Sequence, residues 1–124
     1  MPKGSEELTQ ARKDEIISAC AELYETMNFK DVTLKDIGAK TSFTRTLIYY
    51  YFHTKEEIFL ALLQREYEAW IEDLHEIRMS CRRMTVSQFA DALARSLERR
   101  SRLLKLMSMN HYDMEANSRM ENLV

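Results

Sequence analysis

Three polar side chains, Thr44, Arg45 and Thr46, stand directly ahead of the run Leu47-Ile48-Tyr49-Tyr50-Tyr51-Phe52. In the first turn of a helix, such side chains would face the base edges of a DNA major groove. The fork of Arg45 matches the O6 and N7 acceptors of guanine. Its competing use is a phosphate contact, because phosphate contacts outnumber base contacts in such interfaces. Lys55 falls in the first turn of a later helix, where a main-chain N–H and the ammonium together could grip one phosphate. A cation gains nothing from the macrodipole at that end, so a DNA contact explains Lys55 better than a cap does. Thr33 and Lys35 could act likewise at an earlier helix start. Lys3, Arg12 and Lys13 fit a solvated surface better than a backbone or minor-groove contact.

These side chains need two short helices set across a tight turn. Thr33 with Asp36 has the form of a capped helix start, and Leu34 and Ile37 give that helix one apolar side. Thr41 and Ser42 interrupt it, Thr44 caps a second helix, and Thr54 with Glu57 opens a third. Two short helices about a small-residue turn make a helix-turn-helix. Residues 6–27 read as a preceding helix with Ile16, Ile17, Cys20, Leu23, Tyr24 and Met27 on one face. Packed on the pair, and closed by Phe29 and Val32, it gives a three-helix core. Tyr49 and Phe52 have the i, i+3 spacing usual for core residues, and Phe52 reads as core.

Beyond this head, residues 56–78 read as a long helix with the stripe Phe59, Leu63, Tyr67, Trp70, Leu74 and Ile77. Thr85 with Gln88 starts another helix carrying Val86, Phe89, Ala90, Leu93 and Leu97. Leu103, Leu104, Leu106 and Met107 begin a further one, and the segment from His111 to Val124 again looks helical. The expected class is all-α: one proline and two glycines punctuate the chain, and no alternating β-branched run suggests a strand. The expected division is a DNA-binding head over residues 1–54 and a long connecting helix with a partial helical effector or dimerisation domain over 55–124.

Net charge is −2 over 124 residues, but its distribution matters more than its sum. Between residues 33 and 55, Lys35, Lys40, Arg45 and Lys55 stand against Asp36 alone, giving +3. Residues 56–78 carry −5 and residues 79–105 carry +5, so these segments could pack together. A locally basic head suffices for phosphate contacts. No apolar run approaches the ~20 residues of a membrane-spanning helix, and the N-terminus lacks a signal-peptide core. Cys20 and Cys81 lack metal-like or redox-like spacing and read as free thiols in a reducing cytoplasm. His111 and Glu115 share a helical face but do not make a metal site, with or without Asp113. No nucleophile is tied to a histidine and an acid, and no glycine-rich phosphate loop is present, so no enzyme, catalytic residue or cofactor is expected.

The segment as it stands, with Asp36-Ile37-Gly38, the turn Thr41–Thr44, Leu47-Ile48-Tyr49, Tyr51-Phe52 and Thr54-Lys55-Glu56-Glu57, resembles the TetR family of bacterial one-component transcriptional regulators. Upstream, Arg12, Ile16, Ala19, Leu23, Tyr24, Asn28-Phe29 and Val32-Thr33 fit the family's first helix and following turn, so the resemblance spans residues 8–63. Four positions depart from the pattern. Asn28 replaces a glycine but tolerates positive φ. Gly38 replaces an alanine at some cost in helix propensity. Ser42-Phe43 replaces glycine-valine, with Phe43 taking the core contact. Leu47 replaces a small hydroxyl residue that often touches the phosphate backbone.

The resemblance implies a dimeric, ligand-responsive repressor bound to a double-stranded operator. It implies that the Tyr49 and Tyr51 hydroxyls donate to phosphates and that Tyr50 lies against the sugar-phosphate edge or the core. It also implies that the second half binds a small molecule that spreads the two heads and releases DNA. Six of the eight methionines lie beyond residue 78. Trp70, Phe89 and Met107 could therefore line a pliable effector pocket, with ordinary core packing as the competing reading. The family's last two long helices are missing, and the chain stops on Leu123-Val124 without a stop signal. An exposed apolar terminus suits a soluble protein poorly, so the chain reads as a fragment. The rival function is a truncated interaction protein that pairs with a full-length regulator and blocks its DNA binding.

Overall fold

The computed structural model describes residues 3–80 and 82–109. All regular structure in them is helical: α1 (Lys3–Tyr24), α2 (Leu34–Ala39), α3 (Arg45–Tyr51), α4 (Lys55–Ser80), α5 (Val86–Glu98) and α6 (Ser101–Met107). The expected all-α class holds. The chain forms two compact units that divide within α4, between Leu62 and Leu63. The expected helix from His111 onward, with its histidine and acids, lies outside the described residues.

Helix starts follow hydroxyl side chains. Thr33 accepts from the Asp36 N–H and Asp36 returns the bond to the Thr33 N–H, a complete capping box. Thr44 caps α3 by accepting from the Leu47 N–H at 3.4 Å. Thr54 accepts from the Glu57 N–H at 3.3 Å, while the Glu57 carboxylate takes the N–H of His53 at 3.1 Å. Thr85 and Gln88 form a second full box at α5.

α1 ends earlier than its periodicity suggests. Glu25, Thr26 and Met27 fold into a tightened turn, with the Thr26 and Met27 N–H groups bonded to the Leu23 carbonyl. The following turn closes on the Asn28 carbonyl, which accepts from Asp31 and Val32. No described non-glycine residue has positive φ, so the tolerance of Asn28 for that region goes unused.

The core of the first unit joins Ile16, Cys20 and Tyr24 of α1 to Val32, Ile37, Ile48, Phe52, Phe59 and Leu62, all buried. Tyr24 and Phe29 each meet the Phe59 ring edge-on, at 5.1 and 4.9 Å between centroids. Burial pushes the Tyr24 hydroxyl above its ordinary range, with the Cys20 thiol adding to the effect. Phe43 is only half-buried, so its core contact is partial.

Two ion pairs join α4 to the segment from Arg100 in the second unit. Arg100 clasps Asp73 through Nε at 2.6 Å and Nη2 at 2.8 Å, and Arg102 reaches Glu66 at 3.2 Å. Acidic α4 and the basic segment after it are thus joined at two named pairs. The Arg100 hydrogen bond holds the Asp73 carboxyl below its ordinary range, against the opposing effect of burial, and Asp73 in turn raises Arg100. Leu103 and Leu106 are fully buried. By contrast, Val86 and Phe89 of α5 are 88% and 51% exposed. These apolar side chains are therefore open over the first turn of that helix.

Candidate nucleic-acid interface

Thr33 and Lys35 at the start of α2, and Thr44, Arg45, Thr46, Tyr49 and Tyr50 on α3, are all exposed. Beneath them Ile48 is fully buried and Tyr51 and Phe52 nearly so. A seven-residue helix can do this because residues 3–4 apart share a face: Ile48, Tyr51 and Phe52 turn inward while Arg45, Thr46, Tyr49 and Tyr50 stay outside. Arg45 and Lys35 make no ion pair among the described residues, which leaves both charges available. The Thr33 and Thr44 hydroxyls accept cap bonds with their oxygens, yet each keeps an O–H to donate. A phosphate or base acceptor can take that hydrogen without breaking the cap.

The turn between the helices is fixed from outside the pair. The Ser42 N–H donates to Glu15 Oε2 at 2.6 Å and its hydroxyl to Oε1 at 3.1 Å. The Thr41 hydroxyl lies 2.9 Å from the Gly38 carbonyl and 3.1 Å from that of Phe43. Lys40 meets Glu22 of α1 at 3.2 Å, an exposed pair of small worth. Glu15 escapes a reading by sequence because its partner is 27 residues away; its only local signal is an acid bordering the buried Ile16 and Ile17.

One tyrosine, Tyr51, sits otherwise than expected. Tyr49, at core spacing with Phe52, is 48% exposed, whereas Tyr51 is 8% exposed. The Tyr51 hydroxyl accepts from Arg12 Nη1 at 3.4 Å, and its ring meets Tyr50 edge-on at 5.1 Å. Arg12, expected to be solvated, is thus drawn toward α3.

Lys55 differs most from its expected role. Its ammonium donates to the Phe29 carbonyl at 2.6 Å and the Val32 carbonyl at 2.9 Å, with the Lys30 carbonyl at 3.4 Å. It also lies 4.4 Å from the centre of the Phe29 ring. An ammonium has three hydrogens, and three carbonyls surround it. The carbonyls of the loop ahead of α2 offset the unfavourable place of a cation at this helix start, so the side chain holds the protein's own backbone.

In the second unit, Phe89 lines a groove of about 370 Å³ with Leu74, Ile77, Arg78, Arg82 and Met84. Trp70 lies apart from it, donating through Nε1 to Ser96 Oγ at 2.9 Å, and Met107 stands on α6, 39% exposed. The three candidate effector residues are not gathered around this groove. Among the described residues no group of histidines, cysteines and acids could hold a metal ion, and no helix is long and apolar enough to cross a membrane.

Comparison with known families agrees with this geometry. The family described as "Bacterial regulatory proteins, tetR family" matches residues 16–62, which span the helix-turn-helix with the end of α1 and the start of α4. A second, described as "Tetracyclin repressor-like, C-terminal domain", matches residues 64–124. No curated protein and no solved structure matches the chain. Two consecutive matches in the family's own order, over a helix-turn-helix with its second helix exposed, place this chain in the TetR family of DNA-binding transcriptional regulators.

Proposed function

We propose that the chain is a ligand-responsive repressor that binds a two-fold operator as a homodimer, with α3 in the major groove. The supporting observation is the exposed first turn of α3, where Arg45 makes no ion pair among the described residues and Thr44 and Thr46 flank it. In this reading Arg45 contacts guanine, while Thr33, Lys35, Thr44, Tyr49 and Tyr50 contact phosphates or sugars. Tyr51 and Lys55 serve from within: one supports α3 and the other the loop ahead of α2. The effector acts on the second unit, to which Trp70, Phe89 and Met107 belong.

Selection of bound sequences from a random DNA pool tests this reading. A recovered pair of half-sites about one helical turn apart supports a two-fold dimer reading successive major grooves. Failure to enrich any sequence, together with association with a full-length regulator, would establish the rival reading of a blocking partner.

A further inference from the structure

The peptide unit joining Val32 to Thr33 is held at both ends. Its carbonyl oxygen accepts from Lys55 Nζ at 2.9 Å, and its N–H donates to Asp36 Oδ2 at 3.2 Å. A peptide unit is planar, so fixing both ends fixes the orientation of the plane. That plane carries the N-cap residue of α2, whose hydroxyl closes the capping box with the Asp36 N–H at 3.1 Å. The donor on the other side, Lys55, is the first residue of α4. Its remaining bonds, to the Phe29 and Lys30 carbonyls, grip the same loop, and Phe29 beneath it packs on Phe59 one turn further along α4.

From this geometry we infer that Lys55 is a positioning residue for DNA binding: it locks the Val32–Thr33 peptide to the start of α4 and so sets where α2, with Thr33 and Lys35, meets the duplex. The compact ammonium is essential to this role. Three convergent carbonyls at 2.6 to 3.4 Å suit a small, three-donor point charge. A planar guanidinium on a longer stem cannot direct its donors at all three. A phosphate-gripping lysine would behave differently, because arginine contacts phosphate at least as well.

The inference rests on the reading of α2 and α3 as the DNA-contacting pair, and the test separates the two. Full-length Lys55→Arg and Lys55→Met are compared with Lys35→Met on the selected operator, with concentrations corrected for folded fraction. Both Lys55 variants should bind about tenfold more weakly, with the wild-type dependence of affinity on salt retained. Lys35→Met should lower that salt slope by about one unit, as loss of a phosphate contact does. In the free protein, amide exchange at Val32 and Thr33 should speed up in both Lys55 variants, a change that does not depend on DNA. A double-mutant cycle with Thr33→Ala should be non-additive, because both changes act on one peptide unit. Normal binding by Lys55→Arg, or a salt slope reduced by one unit in Lys55→Met, would overturn the inference and restore Lys55 as a phosphate ligand. If α2 and α3 do not touch DNA, Lys35→Met leaves the slope unchanged while the exchange result still stands.

Discussion

The Glu15 carboxylate receives both donors of Ser42, main-chain N–H and hydroxyl, one on each oxygen. A single residue of α1 therefore anchors the turn that separates the two helices of the helix-turn-helix. The N–H bond is short and charge-assisted, the stronger kind of protein hydrogen bond.

Replacing Glu15 by alanine should cost about 1–2 kcal/mol of stability in denaturant unfolding, since one ionic acceptor and two bonds are lost. Glu15→Gln keeps one acceptor oxygen and should lose less. Equal stability of wild type and Glu15→Ala would show that the turn holds its shape unaided.

Gly38 lies within α2 without a positive φ. A Cβ added there would meet Ile48 Cδ1 at 3.4 Å and Arg45 Cβ at 3.9 Å, both ordinary contacts. Gly38→Ala should therefore stabilise the protein by about 0.5–1 kcal/mol through helix propensity. Thermal unfolding measures this. A lowered midpoint would mean that the α2–α3 crossing is tighter than these distances indicate.

Arg45→Ala should relax sequence preference while keeping salt-sensitive binding to random DNA. Mobility shifts on selected and scrambled sites at two salt concentrations decide the matter. An equal loss on both would reduce Arg45 to a phosphate contact.

The Asp73–Arg100 pair predicts a pH effect of definite sign. Its hydrogen bond lowers the Asp73 pKa in the folded chain below the ordinary value of 3.8. The contribution is therefore present above that ordinary value and is lost as pH falls through the lower, folded one. Asp73→Asn should be less stable by about 1–2 kcal/mol at neutral pH. The gap to wild type should narrow below about pH 4. A gap that stays constant down to pH 2 would remove the pair as its source.

Thr33, Thr44, Thr54 and Thr85 were legible in the sequence as helix starts because each cap bond reaches an N–H only three residues ahead. Ile37 and Phe52 were legible as core, and Arg45 as a protruding side chain, because helical periodicity alone sorts one face from the other. In the three consecutive tyrosines, periodicity is ambiguous. Tyr49 pairs with Phe52 at i, i+3 and Tyr51 with Ile48, and the fit of α3 against its neighbours turned Tyr51 inward and left Tyr49 and Tyr50 outside.

The sequence by itself determined an all-α chain, the helix-turn-helix and the exposed first turn of its second helix, since these depend on bonds and spacings within a few residues. The tertiary structure alone decided the partners of Glu15 and Lys55, which lie 23 to 27 residues away. No local rule specifies which backbone groups a long side chain meets across a folded core. Lys55, which the sequence offers as a ligand for DNA, meets three carbonyls of the loop ahead of α2.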